Sequence, residues 1–200
     1  MTIIEVNENT RLLLVRSGFS SNILDNCNNS RFLAIEEIDK KIIGVCFVGG
    51  ILNSNGIEIL EEFRGKGLAK KLLNEVLEEC KKRHISFMVG VFKPTNVVSI
   101  KTHIKIGYVP VFAFYYNKIE GQEIVVILPL NKKGVFLMKL LGFFNTRMGN
   151  LIFAILLKML NPLLKNLIAF SGSKMPKIEF FYAVRNFNKV QKVMSDINLN

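Results

Sequence analysis

The chain has 200 residues and half of them are apolar, which excludes a disordered polymer and allows one substantial core with an appendage. Its formal charge of +11 is held unevenly: residues 131–200 carry 11 Lys/Arg against Glu179 and Asp196, a balance of +9, and the first 130 carry only +2. Cys27, Cys46 and Cys80 are widely spaced with no C-x-x-C, so they read as free thiols of an intracellular protein, and neither they nor His84 and His103 suggest a metal site. The start, MTIIEVNENTRLLL, lacks a basic segment followed by an apolar stretch and a cleavage site, so a secretory leader is not expected.

In chain order, Ile3 to Val6 predicts a short strand, and Thr10 followed by Arg11 to Val15 a capped helix. The Ser- and Asn-rich stretch SGFSSNILDNCNNS predicts a loop with one helical turn. Arg31 to Ile38 and Lys41 to Leu52 predict a hairpin about Asp39-Lys40, and Asn53 to Gly56 a second turn leading into a strand from Ile57 to Leu60. A helix follows from Leu68 to Lys82, then a buried strand from His84 to Phe92. A strand, a helix and a strand of this size predict a right-handed parallel crossover and hence a mixed sheet. Lys93 to Asn96 is a turn, Val97 to Ile106 a helix and Gly107 its C-terminal cap. Val111 to Tyr116 and Ile124 to Leu130, separated by Lys118 to Gly121, predict a last hairpin.

The connection from Ile59 to Ala69, ILEEFRGKGLA, carries the chemistry. A strand that feeds a helix N-terminus through glycines presents free backbone N–H groups at one point, and the helix dipole adds positive potential there. Gly65 and Gly67 have no Cβ, so the main chain can approach an anion or take φ > 0. Arg64 and Lys66 add charge. Leu68 and Ala69 after Gly67 complete neither the Walker loop nor the dinucleotide fingerprint. They complete Arg64-x-x-Gly67-x-Ala69, and a second frame follows in Asn96 to Tyr108, where an Asn opens a short helix ending in Lys105-Ile106-Gly107-Tyr108.

These two motifs, with the element order around them, resemble the GNAT superfamily of acetyl-CoA-dependent N-acetyltransferases over about residues 1–130. The resemblance implies an α/β (α+β) fold, a mixed central sheet flanked by helices, with residues 131–200 as a mainly helical extension. It implies that N–H groups of Gly65, Lys66, Gly67, Leu68 and Ala69 hold the pyrophosphate of acetyl-CoA, with Arg64 and Lys66 near the phosphates. Ile59 and Leu60 would pair through their main chain with the pantetheine arm, Phe92 and its neighbours would splay to admit the thioester, and Asn96 would reach the cofactor side. Asn96 is equally a helix N-cap, and both roles can hold.

Where many members of that superfamily carry a Tyr that protonates the departing thiolate, this chain has His103. An imidazolium could be that acid; otherwise His103 sits on the helix surface and water supplies the proton. Glu58 faces the opposite side of its strand from Ile57 and Ile59, and members place an acidic residue on this strand as the base. Glu61 and Glu62 read as surface carboxylates. The acceptor implied is a primary amine of a small molecule or a protein, approached by Phe112, Phe114, Tyr115 and Tyr116, with no charge pattern to narrow it. The alternative is a CoA- or acyl-CoA-binding module without turnover.

Residues 135–170 are dense in Leu, Phe, Ile and Met, broken at Gly149-Asn150 and Asn161-Pro162, with only basic charges. The longest uncharged run, Met148 to Leu157, is ten residues, against the roughly 20 a membrane span needs. A wide apolar face with a basic edge can cover the sheet, form a homodimer or meet an anionic membrane surface, so the expected location is cytoplasmic or peripheral to a membrane. Ile178 to Val184 predicts a returning strand. The tail lacks the Arg-rich or aromatic-interleaved stripe of a nucleic-acid reader, and nucleic acid is not an expected partner.

Overall fold

The computed structural model describes residues 1–27, 29–117, 121–160, 179, 182 and 185–198. These form two compact units whose boundary falls inside one strand, between Met88 and Val89.

The first unit runs β1 (Thr2–Glu5), α1 (Glu8–Ser17), α2 (Ser21–Cys27), β2 (Ser30–Ile38), β3 (Lys41–Gly49), β4 (Ser54–Ile59) and α3 (Leu68–Lys82), and ends at the start of β5 (Phe87–Phe92). Strands β1 to β4 are neighbours in that order, each pair antiparallel. The period-2 alternation of β3 and β4 splits their side chains between two layers. Val45 and Phe47 join Leu14, Phe19, Ile23 and Leu60 in a buried cluster beneath α1 and α2. Gly44 lies on the α3 side, where a Cβ would come within 2.7 Å of Ile59 and 3.0 Å of Leu72. From α3, Leu72, Leu73, Val76 and Cys80 are buried.

Helix α1 begins at Glu8 because Asn7, not Thr10, is its cap: the Asn7 side chain accepts from the Thr10 N–H at 2.9 Å. The Ser/Asn-rich stretch holds a full helix, α2, rather than one turn in a loop. Strand β3 ends at Gly49 and not at Leu52. The chain reverses through Gly50 (φ 67) and Asn53 (φ 48), with the Asn53 N–H donating to the Gly50 carbonyl. Gly56, expected to turn, sits inside β4 opposite Phe47, whose ring occupies the space a Cβ would need, 2.3 Å from its nearest atom. Strand β5 begins at Phe87 rather than His84, which is at φ 56 in the turn that ends α3.

The second unit contains the rest of β5, α4 (Val97–Ile106), β6 (Val109–Asn117), β7 (Gly121–Pro129), α5 (Lys132–Gly142), α6 (Arg147–Leu160) and α7 (Phe187–Asn198). Strand β7 lies between β5 and β6 and pairs antiparallel with β6. Helices α5 and α7 pack on this sheet. Phe112 and Phe114 of β6 meet Phe153 of α6 edge to face, at 4.7 and 4.8 Å between centroids. Asn150, 2 % exposed, donates from Nδ2 to the Ala113 carbonyl at 3.0 Å and pins α6 to β6. Part of the tail is therefore core. The expected break at Asn161-Pro162 and most of the expected strand 178–184 lie outside the described residues, as do residues 118–120 of the last hairpin turn. Tyr182, inside that stretch, is helical.

Candidate active site

In the first unit, β4 delivers the chain at Ile59 and Leu60 into a 3-10 turn, Glu61–Phe63, and then into Arg64-Gly65-Lys66-Gly67. Gly65 and Gly67 both lie in the left-handed region, at φ 77 and 74. A residue with a Cβ held there costs on the order of 1–3 kcal/mol. A Cβ at either position would meet no atom within 4 Å, so the surface beside the two glycines is open.

Gly67 is the N-cap of α3, and no side chain caps the helix or places an acidic group in its first turn. The amides of Leu68 and Ala69 thus belong to the set that no α-helix satisfies internally, and the helix dipole is not offset there. Arg64, Gly65, Lys66 and Gly67 are exposed, and Leu68 and Ala69 half-buried. A diphosphate is an anion of the right chemistry for such a cradle.

The side chains around the turn are partly engaged in building it. Arg64 Nε donates to the Ile59 carbonyl at 3.0 Å, which ties the turn back to the end of β4. Lys66 Nζ stands 5.1 Å over the Phe63 ring. The Leu60 N–H donates to Ile43 of β3 at 2.9 Å. One main-chain group of Ile59 and one of Leu60 therefore already have partners within the fold. Both side chains are buried.

Glu58 stands opposite Val45, on the α1/α2 layer. Both of its oxygens are held by one residue. Ser20 donates from its hydroxyl to Oε2 at 2.6 Å and from its backbone N–H to Oε1 at 3.3 Å. Ser20 also starts α2, with its Oγ accepting from the Ile23 N–H at 3.4 Å. Sequence reasoning missed Ser20 as a site residue. Its one local signal was a Ser ahead of the apolar pair Ile23-Leu24, a cap pattern with no hint of a partner 38 residues away. Glu61 and Glu62 are exposed, and Glu62 pairs with Lys41 at 3.2 Å.

In the second unit, Asn96 is the N-cap of α4 and its Oδ1 accepts from the Ser99 N–H at 3.3 Å. Gly107 closes the helix at φ 109. His103 does not sit on the helix surface. It is 0 % exposed, packed between the rings of Phe92 (4.6 Å) and Tyr108 (4.9 Å). Its Nδ1 lies 2.8 Å from the Ser99 carbonyl, which only accepts, so Nδ1 carries a proton. Burial pushes its pKa below the ordinary value, and the bond to Ser99 only partly opposes that. The imidazolium that an acid role needs is disfavoured. Among the described residues no cluster of His, Cys, Asp and Glu is arranged to hold a metal ion.

Residues 9–108, half of the chain, match the profile of the Acetyltransferase (GNAT) family. The chain belongs to that family. It is thus an acyltransferase, and the coarse activity is acetyl transfer from acetyl-CoA. The fold agrees. The ribosomal-protein-S18-alanine N-acetyltransferase of Escherichia coli superposes with a TM-score of 0.53 at 15% identity, over 65% of this chain and 94% of that one. The ribosomal-protein-alanine N-acetyltransferase of Brucella melitensis gives 0.51 at 16% identity, over 65% and 100%. A GNAT-family acetyltransferase of Streptococcus pneumoniae gives 0.52 at 14% identity, over 64% and 99%. At such identities the likeness is one of fold: seven strands in a mixed sheet with flanking helices. No curated protein matches the chain.

Proposed function

We propose that this GNAT acetyltransferase moves the acetyl group of acetyl-CoA to a primary amine of a small molecule or a protein, by direct attack in a ternary complex. The observation that carries this reading is the turn itself: two left-handed glycines with open space beside them, leading into an uncapped helix N-terminus. In the proposal the N–H groups from Gly65 to Ala69 hold the pyrophosphate of acetyl-CoA. Arg64 braces the turn from below, and Lys66 adds positive potential. Asn96 fixes the start of α4.

The amine nitrogen attacks the thioester carbonyl carbon; a C–N bond forms and the C–S bond breaks. The nitrogen loses a proton to a base, and the departing thiolate gains one. Glu58, oriented through both oxygens by Ser20, is the proposed base. His103, neutral and donating to Ser99, orients α4 against Phe92 and Tyr108, and water protonates the thiolate. Each proton transfer is typically worth ~10²–10⁴ in rate.

An acetyl-CoA screen over amine classes, read by free thiol and by product mass, tests the reading. Thiol release that depends on an added amine, with a product heavier by one acetyl group, is the expected result. Binding of acetyl-CoA with no thiol release from any amine class makes the chain a binding module instead.

A further inference from the structure

We propose that the α5–α6 segment docks this enzyme onto an anionic lipid surface, lying in the membrane interface rather than crossing the bilayer. On α6, Met148, Ile152, Ile155, Leu156 and Met159 are all exposed, the two methionines at 62% and 72%. At ~100° per residue these five side chains fall within an arc of about 100°. The opposite side of the same helix holds the buried Asn150 and Ala154. Helix α6 therefore has a packed face and an apolar exposed face, and among the described residues only the first is used by the fold. A soluble monomer rarely presents a contiguous stripe of this kind without a partner.

Charge names the partner. Residues 131–160 contain Lys132, Lys133, Lys139, Arg147 and Lys158 and no acidic residue, and all five are exposed. Arg147 and Lys158 fall within about 20° of each other on α6, on one flank of the apolar stripe. On α5, Lys132, Lys133 and Lys139 flank the exposed Phe136 and Leu140 on both sides, all within about 60° of Phe136. An apolar stripe edged by basic side chains with long aliphatic stems suits an interface where acyl chains meet anionic headgroups. An apolar partner protein would need no such edge, and a nucleic acid would have no use for the stripe.

Geometry excludes a simple span. The 14 residues of α6 reach about 21 Å, short of a hydrocarbon core of roughly 30 Å. Among the described residues no single helix is long and apolar enough to cross; α5 and α6 together have the length and composition of a broken span, but they meet at a bend of 102°. Two short helices at that angle can each lie along a surface.

Flotation of the full-length protein with vesicles tests the proposal, using phosphatidylcholine alone and phosphatidylcholine mixed with phosphatidylglycerol. The expected result is flotation with the phosphatidylglycerol vesicles at low salt, weakened about ten-fold or more with phosphatidylcholine alone or at ~0.5 M salt. A double variant, Met148→Glu with Met159→Glu, touches only exposed side chains; it should stay in the soluble fraction with its circular dichroism and acetyl-CoA binding unchanged. The chain has no Trp, so Phe136→Trp gives a single emission probe that should shift to the blue only with anionic vesicles. Three results would each overturn the proposal: no flotation with anionic vesicles at low salt, whether because a second copy or another part of the chain covers the stripe; flotation that the double variant retains; or a Trp emission that vesicles leave unmoved.

Discussion

Ser20 and Glu58 are joined across 38 residues by two hydrogen bonds, hydroxyl to Oε2 at 2.6 Å and N–H to Oε1 at 3.3 Å. A serine at the start of α2 thus sets the orientation of the one carboxylate on β4. If Glu58 is the base, Ser20→Ala should lower the single-turnover rate of acetyl transfer by roughly ten-fold, and Glu58→Gln by ~10²–10⁴. Adding Ser20→Ala to Glu58→Gln should cost little more, because the two act as one unit. The serine variant should also lose about 0.5–1.5 kcal/mol of stability through the lost hydrogen bonds, which urea unfolding measures independently of turnover.

The buried imidazole of His103 makes a pH prediction whose sign is fixed. Its folded pKa lies below the ordinary 6.5, so between the two values the unfolded chain binds more protons than the folded one. Stability is then fully present above pH ~6.5 and declines as pH falls toward the folded value, with a slope of up to about 1.4 kcal/mol per pH unit. Urea midpoints measured from pH 8 down to 5 should show this decline in the wild type and lack its His103 component in His103→Gln. Turnover separates the two roles weighed for this residue. A limb of the single-turnover pH profile that requires protonated imidazole, and that vanishes in His103→Phe, would restore the acid. A profile of unchanged shape fits the neutral, orienting role.

The three thiols should be inert in the folded protein. Burial pushes Cys27 and Cys80 up to about 12, and Cys46, wholly enclosed, upward as well. Iodoacetamide near neutral pH should leave the native chain unmodified by mass and label all three cysteines in denaturant. Fast labelling of any one under native conditions would show local opening of the element that encloses it.

The features legible in the sequence were those written in local chemistry. Helices α3 and α4 have the expected bounds, Leu68–Lys82 and Val97–Ile106, because Gly67, Asn96 and Gly107 mark their ends by residue type. Gly56 misled because its signal is ambiguous: a glycine can supply a turn or make room for a neighbour, and only the register against Phe47 shows the second. The loss of His84 from β5 has a similar cause, a left-handed residue that is not glycine. A surface position for His103 was the alternative to an acid role, yet its i, i+3 relation to the buried Ile100 could have placed it inside. The pairing of Ser20 with Glu58 had no local signature, since both partners are small polar or charged residues in unremarkable surroundings.

The central claim, that acetyl-CoA is held at the turn from Arg64 to Ala69, is tested most directly by calorimetric titration of acetyl-CoA into the wild type, Gly67→Ala and Gly67→Glu. Alanine adds only the strain of a Cβ at φ 74, on the order of 1–3 kcal/mol, and controls for it. Glutamate adds a negative charge at the helix N-terminus, against both the dipole and the diphosphate. The account predicts that Gly67→Glu weakens acetyl-CoA binding by ten-fold or more beyond the alanine variant, with circular dichroism unchanged. Equal affinity in all three proteins would contradict it.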